Sequence, residues 1–218
     1  MADPLGRAPV LDARENVHWA QQIAEGSLPA EPFYRALLYP YLLSFLAERP
    51  AVQLIVGTGF GFACHALGAI LVGGIAARIW STPRAGWAAA VLYAIYPVAL
   101  FFAGQLLDIT FATTLFLGGL YAMLRSREKV SRGAKGWIFF CVLAGSAGAL
   151  AVVARPNFLP PVLLFPLLAF GMTSLGERKV RPGLNRAALV VLPMALLFLA
   201  QGLVNKRLGG DFRMMPWQ

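Results

Sequence analysis

Charged residues are scarce in this chain of 218 residues, and so are the residues that build metal sites and disulfides. Only 13% of the residues are charged, and the sequence has two cysteines and two histidines. In a typical soluble domain about a quarter of the residues are charged. A composition this apolar excludes an intrinsically disordered chain, and two cysteines exclude a disulfide-stapled secreted module. Cys64 and Cys141 lie in apolar runs without any CxxC or Cys/His pattern, so no disulfide framework and no zinc site is predicted.

Apolar residues, in contrast, are abundant: they make up 58% of the chain, and its mean hydropathy is +0.65. A water-soluble protein of this size has too little core to bury so much apolar surface. The apolar runs are continuous rather than alternating, which predicts spanning helices rather than barrel strands. Six such runs are found, at 52–77, 87–103, 109–124, 137–154, 158–173 and 187–203. The predicted fold class is an all-α polytopic membrane protein, with a transmembrane helical domain at 51–204.

The net charge of +9 is compatible with nucleic-acid binding, but the placement of the basic residues indicates membrane topology instead. The gaps 78–86, 125–136 and 174–186 hold 11 of the 19 lysines and arginines. By the positive-inside rule these gaps face the cytoplasm. Residues 1–50 and 205–218 are then outer, extracytoplasmic loops, and no nucleic-acid partner is expected. Because no span precedes residues 1–50, we expect either that a first membrane helix is missing from a fragment or short relative of a larger protein, or that the topology differs.

The predicted outer segment contains two helical patterns. Residues 13–25 form an amphipathic pattern, with Ala13, Val17, Ala20 and Ala24 on one face and Gly26 as a stop. The stretch 33–46 is aromatic and apolar but too short to span, so it is predicted to lie in the membrane interface.

Several of these segments resemble a known family. The sequences "LDARENVHWAQQIAEG" and "PFYRALLYPYLLSFL" resemble the first outer loop of the GT-C glycosyltransferases. More narrowly, they look like the bacterial glycosyltransferase family 39 group, which is related to protein O-mannosyltransferases and to the aminoarabinose transferase of lipid A. "GQLLDITFATTLFLGGLYAML", "ARPNFLPPVLLFPLLAF" and "GGDFRMMPWQ" are similar to its later spans and next outer loop. The sequence departs from the family pattern in three places. The first span is absent, the usual proline after "YRA" is Leu37, and a glutamate often found ahead of the second acidic position is Gln105.

The resemblance implies an inverting enzyme that moves a sugar from a polyprenyl phosphate to an acceptor hydroxyl at the outer face of the bacterial inner membrane. The acceptor is a protein or a glycolipid. No cofactor is expected, and a divalent-metal requirement is left open. The implied catalytic residues are Asp12, Asp108 and Glu15, with Asp12 as the general base. The implied substrate-binding residues are Arg35, Tyr34, Tyr39 and Arg155, with Arg35 meeting the donor phosphate.

Each of these residues also has a structural interpretation. Asp12 with Glu15, and Asp108 separately, are typical of helix N-caps. Arg35 is also typical of an interfacial side chain that snorkels to the headgroups. Arg155 either pairs with Asp108 or binds a phosphate or lipid headgroup. The alternative function is a non-enzymatic membrane module that binds a lipid-linked substrate or a partner subunit.

Two intramembrane features are expected to be structural. His65 lies alone in the first run, which favours a neutral, hydrogen-bonded core histidine over a proton relay. The glycines of "GTGFGFACHALGAILVGG" form no phosphate-binding loop and are predicted to permit close helix packing.

Overall fold

The chain folds entirely into helices over the residues that the structure describes. This computed structural model describes residues 9, 11–28, 36–133, 136–177, 180–209 and 212–214, with the backbone alone at 172–177, 180–182, 208 and 209. The helices are α1 (Asp12–Glu25), α2 (Leu38–Ser44), α3 (Pro50–Ile79), α4 (Pro83–Ala94), α5 (Pro97–Ala103), α6 (Asp108–Ser131), α7 (Trp137–Ala154), α8 (Leu159–Glu177) and α9 (Val180–Gly209), with a 3-10 turn at Pro156–Phe158. The all-α fold class is therefore confirmed for the described part of the chain.

Three helices are long and apolar enough to cross a membrane: Pro50–Ile79, Trp137–Ala154 and Gly183–Arg207. The bent pair α4 and α5 makes a fourth if it counts as one span. The prediction of six spans is not confirmed. Helix α6 carries Asp108 at its start and four charged residues between 125 and 129, which shortens its apolar stretch. The apolar part of the next segment, Pro156–Gly171, is also shorter than a span.

Helix α6 lies at the centre of the bundle. It packs against α3 on one side and α7 on the other, and also contacts α8. Helix α9 covers α7 and α8, and α4 lies on α3. The main core fills the space between α6, α7, α8 and α9 with buried apolar side chains; its largest fully buried members are Phe165, Met123, Val152, Val162 and Val190.

Glycines allow the backbones of α3, α4 and α5 to approach closely. A Cβ atom built on Gly73 would lie 2.9 Å from the carbonyl oxygen of Gly86, and one built on Gly86 would lie 2.8 Å from the carbonyl oxygen of Gly73. A Cβ on Gly61 would overlap the carbonyl oxygen of Ala103. The predicted packing role of the glycines in α3 is confirmed at these positions.

The predicted span 87–103 is broken in the structure. Helix α4 ends at Ala94, helix α5 starts at Pro97, and the two are bent by 58°. Pro97 has no N–H to continue the helical ladder, so a break here is expected. His65, buried to 4% exposure, lies with Nε2 3.1 Å from the carbonyl oxygen of Ala94 and stacks on Tyr93 with ring centroids 5.1 Å apart. In the tautomer that donates from Nε2, the histidine satisfies a carbonyl at the break, in line with the predicted structural role.

The two ends of the bundle are distinct. At one end, named the inner end after the predicted topology (the opposite end is named the outer end), Arg78 of α3 pairs with Glu128 of α6, and Arg186 of α9 donates to Ser126. At the outer end, Asn16 of α1 reaches Leu106 and Arg155 reaches Asp108. These contacts place the predicted cytoplasmic gaps at one end and the amino-terminal helices at the other.

Large apolar side chains cover the outside of the bundle. Examples are Ile55, Ile70, Leu92, Leu167 and Leu196, each more than half exposed. Water penalises such a surface, while lipid does not. The long apolar helices and this surface are compatible with a membrane protein.

Candidate functional site

An ion pair at the outer end joins two of the predicted site residues. Arg155 Nη1 donates to Asp108 Oδ1 at 2.8 Å, and the two side chains are 32% and 19% exposed. Asp108 begins α6, and Arg155 lies in the turn between α7 and α8 with extended backbone angles. Pro156 disfavours a helical conformation at Arg155, which explains why α7 ends there. Of the alternatives for Arg155, the structure shows the pairing with Asp108.

The N-cap interpretation of both aspartates is wrong by one residue. Leu11 occupies the N-cap of α1 and Leu107 that of α6, so Asp12 and Asp108 are the first helical residues. Asp12 and Glu15 both lie in the first turn of α1, where the helix dipole stabilises negative charge. Asp12 is exposed and Glu15 is half-buried.

A buried amide attaches α1 to the turn that precedes Asp108. Asn16 is 3% exposed, and its Nδ2 donates to the carbonyl oxygen of Leu106 at 3.0 Å. Asp12 lies four residues before Asn16, which is about one helical turn. This bond therefore holds the acidic head of α1 beside the start of α6. Sequence reasoning missed Asn16, although its place three residues after Ala13 puts it on the apolar face.

A small apolar cluster surrounds this attachment. It contains Ala13, Ala20, Tyr39, Leu43 and Leu106, with Val17 packed against it. The predicted face of α1 is therefore correct for three of its four residues. Ala24 is exposed and Asn16 and Trp19 are buried, so the buried face is turned towards positions 16 and 19.

Tyr39 is buried in this apolar cluster at the outer end of the bundle. It is 1% exposed, and its hydroxyl has no hydrogen-bond partner within the described residues. Burial raises the pKa of this phenol, and the negative charge of Asp108 and the neighbouring Cys64 raise the pKa further. Tyr39 therefore stays protonated near Asp108, as a hydrogen-bond donor. Helix α2 is held in place by Gln53, buried in α3, whose Nε2 donates to the carbonyl oxygen of Leu43 at 3.0 Å.

An apolar groove opens beside this end. It has a volume of about 680 Å³ and runs between the end of α1, the start of α2 and the outer part of α9. Its polar members are Gln201 and Arg207, and its remaining lining is Ile23, Gly26, Leu28, Leu37, Leu38, Tyr41 and Val204. The exposed side chains of Tyr41 in α2 and of Phe45, directly after it, fit the predicted interfacial position of that helix.

The predicted residues Tyr34 and Arg35 lie outside the described residues. Of the others, the structure brings Asp108, Arg155 and Tyr39 together and attaches the helix that carries Asp12 and Glu15 to the same end. Within the described part of the chain, no group of three histidine, cysteine, aspartate or glutamate residues is arranged to hold a metal ion. Both cysteines are buried free thiols.

The chain was compared with family models, curated proteins and solved structures. None of the three comparisons gives a match.

Proposed function

We propose that the chain is a GT-C-type membrane glycosyltransferase that uses a polyprenyl-phosphate sugar. The single observation that supports this most is the assembly of the outer end. There, the acidic head of α1, the Asp108–Arg155 pair and the protonated Tyr39 lie at one end of the bundle. An apolar groove lies between α2, α9 and the carboxyl end of α1, which is the opposite end of that helix from Asp12. Sugar transfer from a lipid carrier needs a carboxylate, a fixed cation and an apolar channel at one membrane face.

In the proposed reaction the acceptor oxygen attacks the anomeric carbon from the side opposite the phosphate. The new C–O bond forms as the bond from that carbon to the phosphate oxygen breaks, which inverts the configuration. The acceptor proton goes to Asp12, and the electron pair leaves with the polyprenyl phosphate. For this step the Asp12 carboxylate has to lie about 3 Å from the acceptor hydroxyl.

The other residues have supporting roles in this proposal. Asp108, oriented by Arg155, and the phenol of Tyr39 would bind hydroxyl groups of the sugar or the acceptor. Arg35 would bind the leaving phosphate, because its planar guanidinium matches phosphate geometry. Glu15 and Tyr34 complete the proposed site.

The apolar groove suits an isoprenoid chain. Arg207 at its margin supplies a positive charge for a phosphate, while the aliphatic and aromatic lining accepts the hydrocarbon. A lipid in this groove would present its head to the outer end of the bundle.

A six-span arrangement in the bacterial inner membrane, with the outer end extracytoplasmic, belongs to the same proposal. Helix α6 would cross in spite of its charged ends, because it is packed against α3 and α7 and shields Thr110 and Thr114 inside the bundle. At 24 residues it is about 36 Å long, which exceeds the hydrocarbon thickness.

The test is sugar transfer in membranes by the complete protein, with labelled polyprenyl-phosphate sugars and protein or glycolipid acceptors. Asp12→Asn is expected to abolish transfer with unchanged expression, and Glu48→Gln, at an exposed carboxylate between α2 and α3, is expected to retain it. Transfer at the wild-type rate in Asp12→Asn would disprove the role of Asp12. Absence of transfer in the wild type with every donor would disprove the enzymatic proposal.

One observation favours the non-enzymatic alternative, a membrane module that binds a lipid-linked substrate or a partner subunit. Asp108 is neutralised by Arg155 at 2.8 Å, which is what a structural clamp between two turns requires. This alternative predicts lipid binding in the groove without transfer, so binding and transfer assays on the same preparation separate the two functions.

A further inference from the structure

The net charge of the sequence lies in three segments that the positive-inside rule assigns to the inner side. The segments 78–86, 125–136 and 174–186 hold eleven basic residues but only two acidic ones, Glu128 and Glu177. The rest of the chain holds eight basic and eight acidic residues, so it is neutral overall. The formal charge of +9 thus comes from these three segments, and such a concentration of positive charge attracts anions.

Two arginines at the inner end are fixed around one carboxylate. Arg78 Nε lies 2.9 Å from one oxygen of Glu128, and Arg125 Nη1 lies 2.9 Å from the other oxygen. The ring of Tyr121 lies 4.5 Å below the Arg78 guanidinium, which also donates to the carbonyl oxygen of Gly74 at 2.7 Å. Two guanidinium groups on one carboxylate leave one positive charge that Glu128 does not balance. Both arginine side chains are partly exposed, at 21% and 33%.

Two exposed tryptophan side chains near Arg78 indicate how deep the two arginines would lie in a bilayer. Trp80 follows α3 directly and is 66% exposed, and Trp87 in the first turns of α4 is 75% exposed. Exposed tryptophans concentrate at the level of the lipid headgroups. Arg78 is two residues from Trp80, so in a bilayer its guanidinium would lie near the level of the lipid phosphates.

We propose that Arg78 and Arg125, fixed around Glu128, form a binding site for the phosphate of an anionic phospholipid in the inner leaflet. Arginine forks bind phosphate oxygens in pairs, and basic pockets between membrane helices bind anionic headgroups. The guanidiniums are already oriented by Glu128 and Tyr121, so a phosphate would meet donors in fixed positions. The site is independent of the proposed transfer reaction at the outer end.

The test measures which lipids stay with the full chain. The protein is reconstituted in mixtures of phosphatidylcholine and phosphatidylglycerol, extracted in detergent, and its retained lipids are counted by native mass spectrometry. We expect phosphatidylglycerol to be enriched over phosphatidylcholine. Arg78→Gln and Arg125→Gln should each lower this enrichment about fivefold, while Arg14→Gln at the outer end should not change it.

Glu128→Gln separates binding from a purely structural role. It releases both guanidiniums from their carboxylate, so it should raise the enrichment of phosphatidylglycerol. If Glu128→Gln lowers the enrichment as the arginine variants do, the three side chains serve only to hold α3 against α6 and the proposal is wrong. If Arg78→Gln does not fold, Arg78→Lys keeps the charge without the fork and should retain an intermediate enrichment. Equal retention of both lipids by the wild type, or displacement by inorganic phosphate without lipid preference, would also overturn the proposal.

Discussion

The ion pair between Arg155 and Asp108 allows a test that separates a structural from a functional carboxylate. At a charge separation of about 4 Å and an effective dielectric constant of about 20, the direct attraction is about 4 kcal/mol. Solvent reaches a third of Arg155, and ordering its side chain costs entropy, so the net contribution is smaller. Hydrogen bonds to charged groups contribute about 1.5–3 kcal/mol. We therefore expect Arg155→Met to lower the free energy of unfolding by about 2 kcal/mol.

A double-mutant cycle measures how much of this loss belongs to the pair. Arg155→Met, Asp108→Asn and the combined variant are unfolded reversibly in mixed micelles and followed by circular dichroism. The coupling energy should be about 1–2 kcal/mol, because the second substitution removes little once the first has broken the pair. Arg14→Met, on the exposed side of α1, is the control and should change stability by less than about 0.5 kcal/mol.

The charge-exchanged variant Asp108→Arg/Arg155→Asp connects stability with function. It rebuilds an ion pair, but it places a positive charge in the first turn of α6, where the helix dipole opposes it. We expect partial recovery of stability compared with Arg155→Met and no recovery of transfer. A coupling energy near zero would refute the reasoning about stability. Full transfer by the exchanged variant would show that Asp108 serves only as a clamp.

Two further substitutions test the packing and the buried phenol. Gly61→Ala should destabilise the bundle by about 1–3 kcal/mol in thermal unfolding, because its Cβ meets the carbonyl oxygen of Ala103. Gly59→Ala, where nothing lies within 4 Å, should be neutral or stabilise by up to about 1 kcal/mol, and equal effects of the two would contradict the close approach of α3 and α5. Since folding raises the pKa of Tyr39 above its ordinary value of 10.0, its contribution to stability is present below about pH 10 and is lost as the pH rises further. The free energy of unfolding, measured in denaturant titrations, should therefore fall less above that pH in Tyr39→Phe than in the wild type. Identical falls in the two proteins would show that ionisation of Tyr39 does not cause the alkaline loss of stability.

Sequence reasoning located the helices well where an apolar run ends at a proline or at charges. The run 52–77 became Pro50–Ile79, and 137–154 matched Trp137–Ala154. It failed where polar residues continue a helix that tertiary contacts support. The last predicted run, 187–203, lies within the 30-residue helix Val180–Gly209, because the basic residues at both ends are good helix formers outside the apolar core.

The candidate site was only partly predictable, because its contacts join residues distant in the sequence. Asp108 and Arg155 were both expected at the outer end, so their pairing over 47 positions was one of the alternatives. The bond from Asn16 to Leu106 spans 90 positions and depends on how α1 is rotated, which the small residues of that helix specify weakly. The break between α4 and α5 could have been predicted from Pro97, because proline has no N–H to continue a helix. Hydropathy alone gave no sign of the break, since the sequence is uniformly apolar over 87–103.

The two clusters of the bundle explain why a site would be located at the outer end rather than in the core. The main cluster lies between the four helices α6, α7, α8 and α9 and contains large side chains such as Phe165 and Met123. These helices are therefore held together by extensive apolar contacts. The outer cluster consists of two alanines, two leucines and Tyr39, and the side-chain amides of Asn16 and Gln53 each attach it by one hydrogen bond. Segments with few buried apolar contacts open at lower free energy than the core. In the proposed function a lipid-linked substrate would enter between α1, α2 and α9, and this weakly held end is the part of the molecule that can separate without unfolding the rest.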